Sequence, residues 1–134
     1  MTQSCERRSQ ASWNDERGPD VVETMHPNLA AAGRWFELSL MEQLGNIGTE
    51  VGRAARAKES GNESRSWNAL VRALELFDLT IADERWRGPK LREICRAREV
   101  VCDFIAGDNE YGSTAESLDA YFLPFAMAAR RLVS

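Results

Sequence analysis

"LMEQLGNIGTEVGRAARAKESGN", Leu40 to Asn62, holds the pattern on which the fold turns. Leu40, Leu44, Ile47, Val51 and Ala55 recur at intervals of three and four, the spacing of one helical face. The same series extends back through Phe36 and Gly33 to Leu29, and Asn28 suits an N-cap, so the spacing predicts a long first helix from Asn28. Its last turn, "RAARAK", puts cations at the negative end of the helix dipole, and Gly61 stands at the C′ position. Three glycines sit inside this helix, Gly45, Gly48 and Gly52, on a strip beside the apolar face. Each costs about 1 kcal/mol relative to alanine, which calls for close approach of another backbone. That backbone belongs to helix two or four of the same chain, or to helix one of a second copy. Trp35, Leu38 and Met41 add apolar surface beyond the main face, so a homodimer interface over Trp35, Leu38, Met41 and the three glycines is the expectation drawn from helix one.

Three more helical stripes follow. Helix two, from Asn62 or Glu63 to Ala82, places Trp67, Leu70, Val71, Leu74, Phe77 and Ile81 inward. Helix three starts at Pro89 and presents Leu91, Ile94, Cys95, Val101, Cys102 and Ile105. Helix four, with Ser113 and Glu116 spaced as a capping box, buries Leu118, Tyr121, Phe122, Phe125, Ala129 and Leu132 and carries Pro124 inside it, where a kink or division is expected. No segment alternates with period two. The fold class expected is therefore all-α: an antiparallel four-helix bundle over residues 28–134, with a long first helix and a Pro-kinked fourth helix. Residues 1–27 are polar and unpatterned, and read as a flexible N-terminal arm whose one large apolar residue is Trp13.

Composition narrows the chemistry. A chain of 134 residues, 43% of them hydrophobic, suits one core. It has no apolar run of about 18 residues and no apolar centre of a secretion signal near the N-terminus, which places it in the cytoplasm without membrane contact. Cys95 and Cys102 lie two helical turns apart, too far for a disulfide, and Cys5 leaves the count odd. The sole histidine, His26, lies outside every strong element, so no catalytic set, metal site or cofactor is legible. The net charge of −4 hides a basic segment, Arg85, Arg87, Lys90, Arg92, Arg96 and Arg98 around Trp86. These are either the complement of the preceding acidic segment or a candidate anion- or RNA-binding stripe.

"GDNEYGS", Gly107 to Ser113, resembles a ligand loop in composition but reads as a turn: Gly107 left-handed, Asp108 and Asn109 in the turn, Ser113 capping. Glu110 and Tyr111 remain, and with Glu99, Asp103 and Asp108 they form a candidate polar site. Two charges fall on apolar faces, Asp78 on helix two and Arg98 on helix three. Neither is cheap to bury alone, so the two are expected to meet as a buried ion pair.

The segments "LGNIGTEVGRAARAKESGN", "RALELFDLTIAD", "LREICRAREVVCDFIAGDNEYGS" and "YFLPFAMAAR" resemble a widespread group of small prokaryotic helical proteins of unassigned function, over roughly residues 34–131. The layout is more distantly similar to HEPN-type and intervening-sequence four-helix proteins, some of which are ribonucleases or partners of nucleotidyltransferases. Their nuclease pattern is arginine, four to six residues, then histidine; here Arg98 is followed by Asp103 at that place, which removes the catalytic histidine. The leading expectation is a non-catalytic, homodimeric interaction module, of the kind found in defence or toxin–antitoxin-like systems. The alternative is an RNA-binding or degenerate HEPN-like nuclease module using the basic stripe.

Overall fold

The computed structural model describes residues 33–133. Among them every regular element is helical: α1 Leu40–Glu59, α2 Glu63–Ala82, α3 Pro89–Ile105 and α4 Ala115–Val133, with a helical turn at 33–35 ahead of α1. None of these helices is long and apolar enough to cross a membrane. The arm, with Cys5, Trp13 and His26, lies outside the described residues, as do Asn28, Leu29 and the side chain of Leu132.

The helix expected from Asn28 is interrupted before α1. Leu38 N donates to the Trp35 carbonyl, three residues back, and Ser39 then turns extended at φ −70°, ψ 164°. Ser39 Oγ accepts from Glu42 N at 3.1 Å while Glu42 Oε1 accepts from Ser39 N at 2.9 Å, a reciprocal box that starts α1 at Leu40. The break turns Trp35 inward and leaves Phe36, the residue on the expected stripe, outward. At the other end Gly61 (φ 79°) closes α1 as read from the sequence. Gly61 N reaches Lys58 O and Asn62 N reaches Ala57 O, the paired bonds of a Schellman motif.

α1 is the central element: it packs along both α2 and α4, while α3 packs chiefly on α2 and touches α1 lightly. The α1–α2 seam is built from small residues, Ala54, Ala55, Ala69, Ala73 and Ser66, all buried, with Ser66 Oγ donating to Ala54 O at 3.0 Å. Small side chains let the two backbones close up, and this sets the rotation of α2. Leu70, Phe77 and Ile81 are buried as expected, whereas Val71 and Leu74 are only half-buried and Trp67 is 59% exposed. Assigning the largest side chains to the core misplaced Trp67, because the seam is made of the smallest.

α3 begins at Gly88, whose φ of 71° favours glycine, with Pro89 in its first turn. In the loop after it, Asn109 (φ 55°) and Gly112 (φ 65°) take the left-handed positions rather than Gly107. Gly107 serves a different end: a Cβ there would stand 3.1 Å from the backbone of Asp103. The cap of α4 lies one residue beyond the expected Ser113. Thr114 Oγ1 accepts from Ser117 N and Ser117 Oγ from Thr114 N, both at 2.9 Å, a capping box with serine in the glutamate's place. α4 is not divided at Pro124; it runs on to Val133.

The glycine strip of α1 faces α4 of the same chain. A Cβ on Gly48 would lie 2.6 Å from Phe122 Cβ, and one on Gly45 would lie 3.2 Å from Ala126 Cα. At Gly52 the nearest atom is the tip of Arg56, at 3.2 Å. The three glycines, expected as part of a homodimer surface, are therefore the α4 seat. Gly48→Ala should destabilise the fold by about 1–3 kcal/mol through overpacking against a buried ring, even though alanine is the better helix former. Gly52→Ala meets a movable guanidinium at 3.2 Å and Asp119 Oδ1 at an ordinary contact of 3.5 Å, and should be neutral or stabilising by up to about 1 kcal/mol. Urea unfolding midpoints of the two variants measure the contrast; equal midpoints would show that α4 does not seat on Gly48.

Candidate functional site

The largest polar construction is internal. Gln43, fully buried on α1, spends its amide on three residues of two other segments: Nε2 donates to Trp35 O at 2.9 Å and to Asp83 Oδ2 at 3.2 Å, and Oε1 accepts from Trp86 Nε1 at 2.7 Å. Trp35 Nε1 donates to Thr80 Oγ1 at 3.1 Å, and the Thr80 hydroxyl in turn donates to Leu76 O at 2.9 Å. Arg85 closes the cluster with Nη2 on Asp83 Oδ2 and on Leu38 O, both at 2.7 Å. Among the described residues no buried side-chain polar atom is left without a partner. This cluster was not legible as a unit, since its members lie more than forty positions apart in pairs such as Gln43–Trp86. A polar glutamine on the apolar face of α1 was the one available signal.

The cluster reassigns part of the basic segment. Trp86 is buried, with the Arg85 guanidinium 4.4 Å and the Lys90 ammonium 5.4 Å from its ring centre, so it offers no free face for stacking a base. Arg85 is a structural ligand of Asp83, and Arg87 lies loosely, at 4.0 Å, beside Glu84. Arg92 and Arg96 are exposed on α3 and line a cavity that Glu99 and Tyr111 share. Of the six cations read as an anion stripe, Arg87, Lys90, Arg92 and Arg96 keep an outward surface, and Arg92 and Arg96 are the two that share a cavity.

α3 and α4 are splayed, and the gap between them forms a cavity of about 350 Å³ with Val100, Val101 and Phe122 among its walls and Arg96 and Ser117 at its edge. Tyr121 Oη spans the gap to Glu93 Oε2 at 2.6 Å. Burial first, and then the bond to Glu93, push the Tyr121 phenol above its ordinary range, so at neutral pH it is a fixed proton donor to the carboxylate.

Asp78 and Arg98 come together across α2 and α3, Arg98 Nε to Asp78 Oδ1 at 3.2 Å, with side-chain exposures of 15% and 21%. The pair is half-buried rather than sealed. Removing either partner should cost about 1–2 kcal/mol, below the ~3–5 of a sealed pair, because water reaches the survivor. A double-mutant cycle over Asp78→Ala and Arg98→Ala, read by denaturant unfolding, should return a coupling near 1 kcal/mol; strict additivity would mean the contact contributes nothing.

The candidate polar site at the end of α3 is organised from within. Asp103 Oδ1 accepts from Glu110 N at 2.8 Å and Oδ2 from Tyr111 N at 3.0 Å, so both carboxylate oxygens are spent on loop amides. Asn109 and Ser113 exchange hydrogen bonds across the same loop. Glu99 lies on α3 in the Arg92–Arg96 cavity, whereas Asp108 and Glu110 point outward. No group of three His, Cys, Asp or Glu among the described residues is placed to hold a metal ion. Cys95 is buried and Cys102 half-buried, and neither forms a disulfide among the described residues.

Of the expected interface residues, Trp35 is buried in the Gln43 cluster, Leu38 and Met41 are half-buried, and the glycines lie under α4. Large apolar side chains are exposed elsewhere: singly at Phe36, Trp67 and Tyr111, and a helical turn apart on α4, where Leu123 is 57% and Met127 45% exposed. No protein-family model, curated protein or solved structure matches the chain.

Asp83 gives the polar cluster a pH signature. The hydrogen bond from the Arg85 side chain outweighs the opposing effect of burial, and its carboxyl sits below the usual carboxylate range. A group lowered in this way stabilises the fold above its unfolded pKa of about 3.9, and the contribution is lost as pH falls through the folded value. Asp83→Asn should therefore cost about 1.5–3 kcal/mol at neutral pH, with the difference from wild type shrinking in acid below pH ~4. Thermal melts across that range check it, and a pH-independent difference would contradict the charged role of Asp83.

Proposed function

We propose that the chain is a non-catalytic helical protein-interaction module, its helices arranged as an antiparallel four-helix bundle, and that its docking face is the outer side of α4. One observation carries this reading: Ala120, Leu123 and Met127 form an exposed apolar stripe along α4, while Phe122 of the same helix is seated on α1 at Gly48. Large apolar side chains a helical turn apart on an otherwise charged surface are what a partner helix covers.

A second reading, binding of single-stranded RNA, is favoured by Arg92 and Arg96, exposed beside Tyr111 at one cavity. It loses the stacking surface of Trp86 and the free charge of Arg85, and it keeps the acidic Glu93 and Glu99 at the same cavity.

Site-specific photo-crosslinking in cells separates the two. A photoreactive residue at position 123 should give a discrete protein adduct, while one at Asn68 on α2 should give none. Adducts to RNA from position 92 or 96, lost steeply with added salt, together with silence at 123, would overturn the module reading in favour of RNA binding.

A further inference from the structure

Resting on the reading of α4 as a docking face, we infer that its occupant is the α4 of a second copy of this chain, packed antiparallel. The exposed residues Glu116, Ala120, Leu123 and Met127 follow a spacing of four, three and four, which keeps them on one side of the helix as in a coiled-coil seam. The charge along that side is sorted by position: Glu116 at the start, an apolar centre, and Arg131 in the last turn.

A two-fold axis beside Leu123 makes this side complementary to itself. Such an axis pairs each residue of one copy with the residue equally far from the axis on the other. It sets Glu116 against Arg131 of the second copy at both ends, Ala120 against Met127, and the two Leu123 side chains near the axis. Small faces large in the middle and acid faces base at the ends. A parallel pairing has the opposite result, placing Glu116 against Glu116 and Arg131 against Arg131. Glu116 and Arg131 have no ion-pair partner among the described residues of their own chain. A single helix-on-helix seam buries less than the ~1,200 Å² of a stable interface, so the dimer is expected to form reversibly in the micromolar range or weaker.

The test is a charge exchange on the full chain, read by sedimentation equilibrium up to about 1 mM protein, with far-UV circular dichroism to confirm that each variant is folded. Glu116→Arg and Arg131→Glu should each weaken self-association by about tenfold or more, because each puts like charges at both ends of the seam. Mixing the two variants in equal amounts should recover association, since the mixed dimer has attraction at both ends. The double variant, with both charges exchanged, should also recover it. Leu123→Asp should abolish association whatever the charges. A wild type that stays monomeric throughout, single variants that associate like wild type, or a mixture that does not recover would each overturn the antiparallel second copy. If the wild type is monomeric while position 123 still crosslinks a different protein, only the second-copy assignment falls; silence at 123 removes the docking face as well.

Discussion

The buried amide of Gln43 is the constraint on which the arrangement of the other segments depends. An amide sealed in a core is tolerated only if its donors and acceptor are met, and here the partners come from the turn before α1 and from the connection after α2. To meet them the chain must break before α1, so that the Trp35 carbonyl faces inward, and must leave α2 at Asp83 so that Trp86 can fold back. Arg85 then neutralises Asp83 and ties Leu38 to the same point. The direction in which α3 sets out from Gly88 follows from that closure. One consequence reaches the surface: Arg85 and Trp86 are committed to holding the fold, and the outward cations are left to Arg87, Lys90, Arg92 and Arg96.

α4 is held by a different principle. It lies against α1 where glycine leaves room for Phe122 and Ala126, so the contact is one of shape and tolerates no added methyl group at Gly48. Its far side is left apolar in the middle and charged at the ends. Acid in the first turn and base in the last are what a helix dipole favours within a single helix. The same order of charges makes two such helices attract when they run in opposite directions, so a feature that stabilises α4 alone also selects the orientation of a partner α4.

The helical content, the boundaries of α2, the Schellman stop at Gly61, Pro89 in the first turn of α3 and most of the inward face of α3 were legible in the sequence, because each rests on residues within one or two turns of each other. Local chemistry also held the signals that were passed over. Ser39 and Glu42 form the box that starts α1, but an apolar series running across them reads as one longer helix. Thr114 and Ser117 cap α4, yet serine is a weaker capping-box signal than glutamate, and Ser113 with Glu116 matches the commoner form of the box. The sequence also marked Asp78 and Arg98 as charges on apolar faces, but not how much water reaches them.

What only the tertiary structure decided are the questions in which residues far apart compete for the same space. Three glycines in a helix announce a close neighbour without saying which one, and α4 took the place that a second copy of α1 could have filled. Trp67 and Trp86 are equally apolar as residue types; the first is outside because the α1–α2 seam closes on alanine, and the second is inside because Gln43 accepts its N–H. Periodicity determines which residues share a face of one helix, since that depends on the backbone repeat alone. Which face meets which neighbour depends on the summed volumes and hydrogen-bond demands of several segments at once, and these are settled only when the helices are packed together.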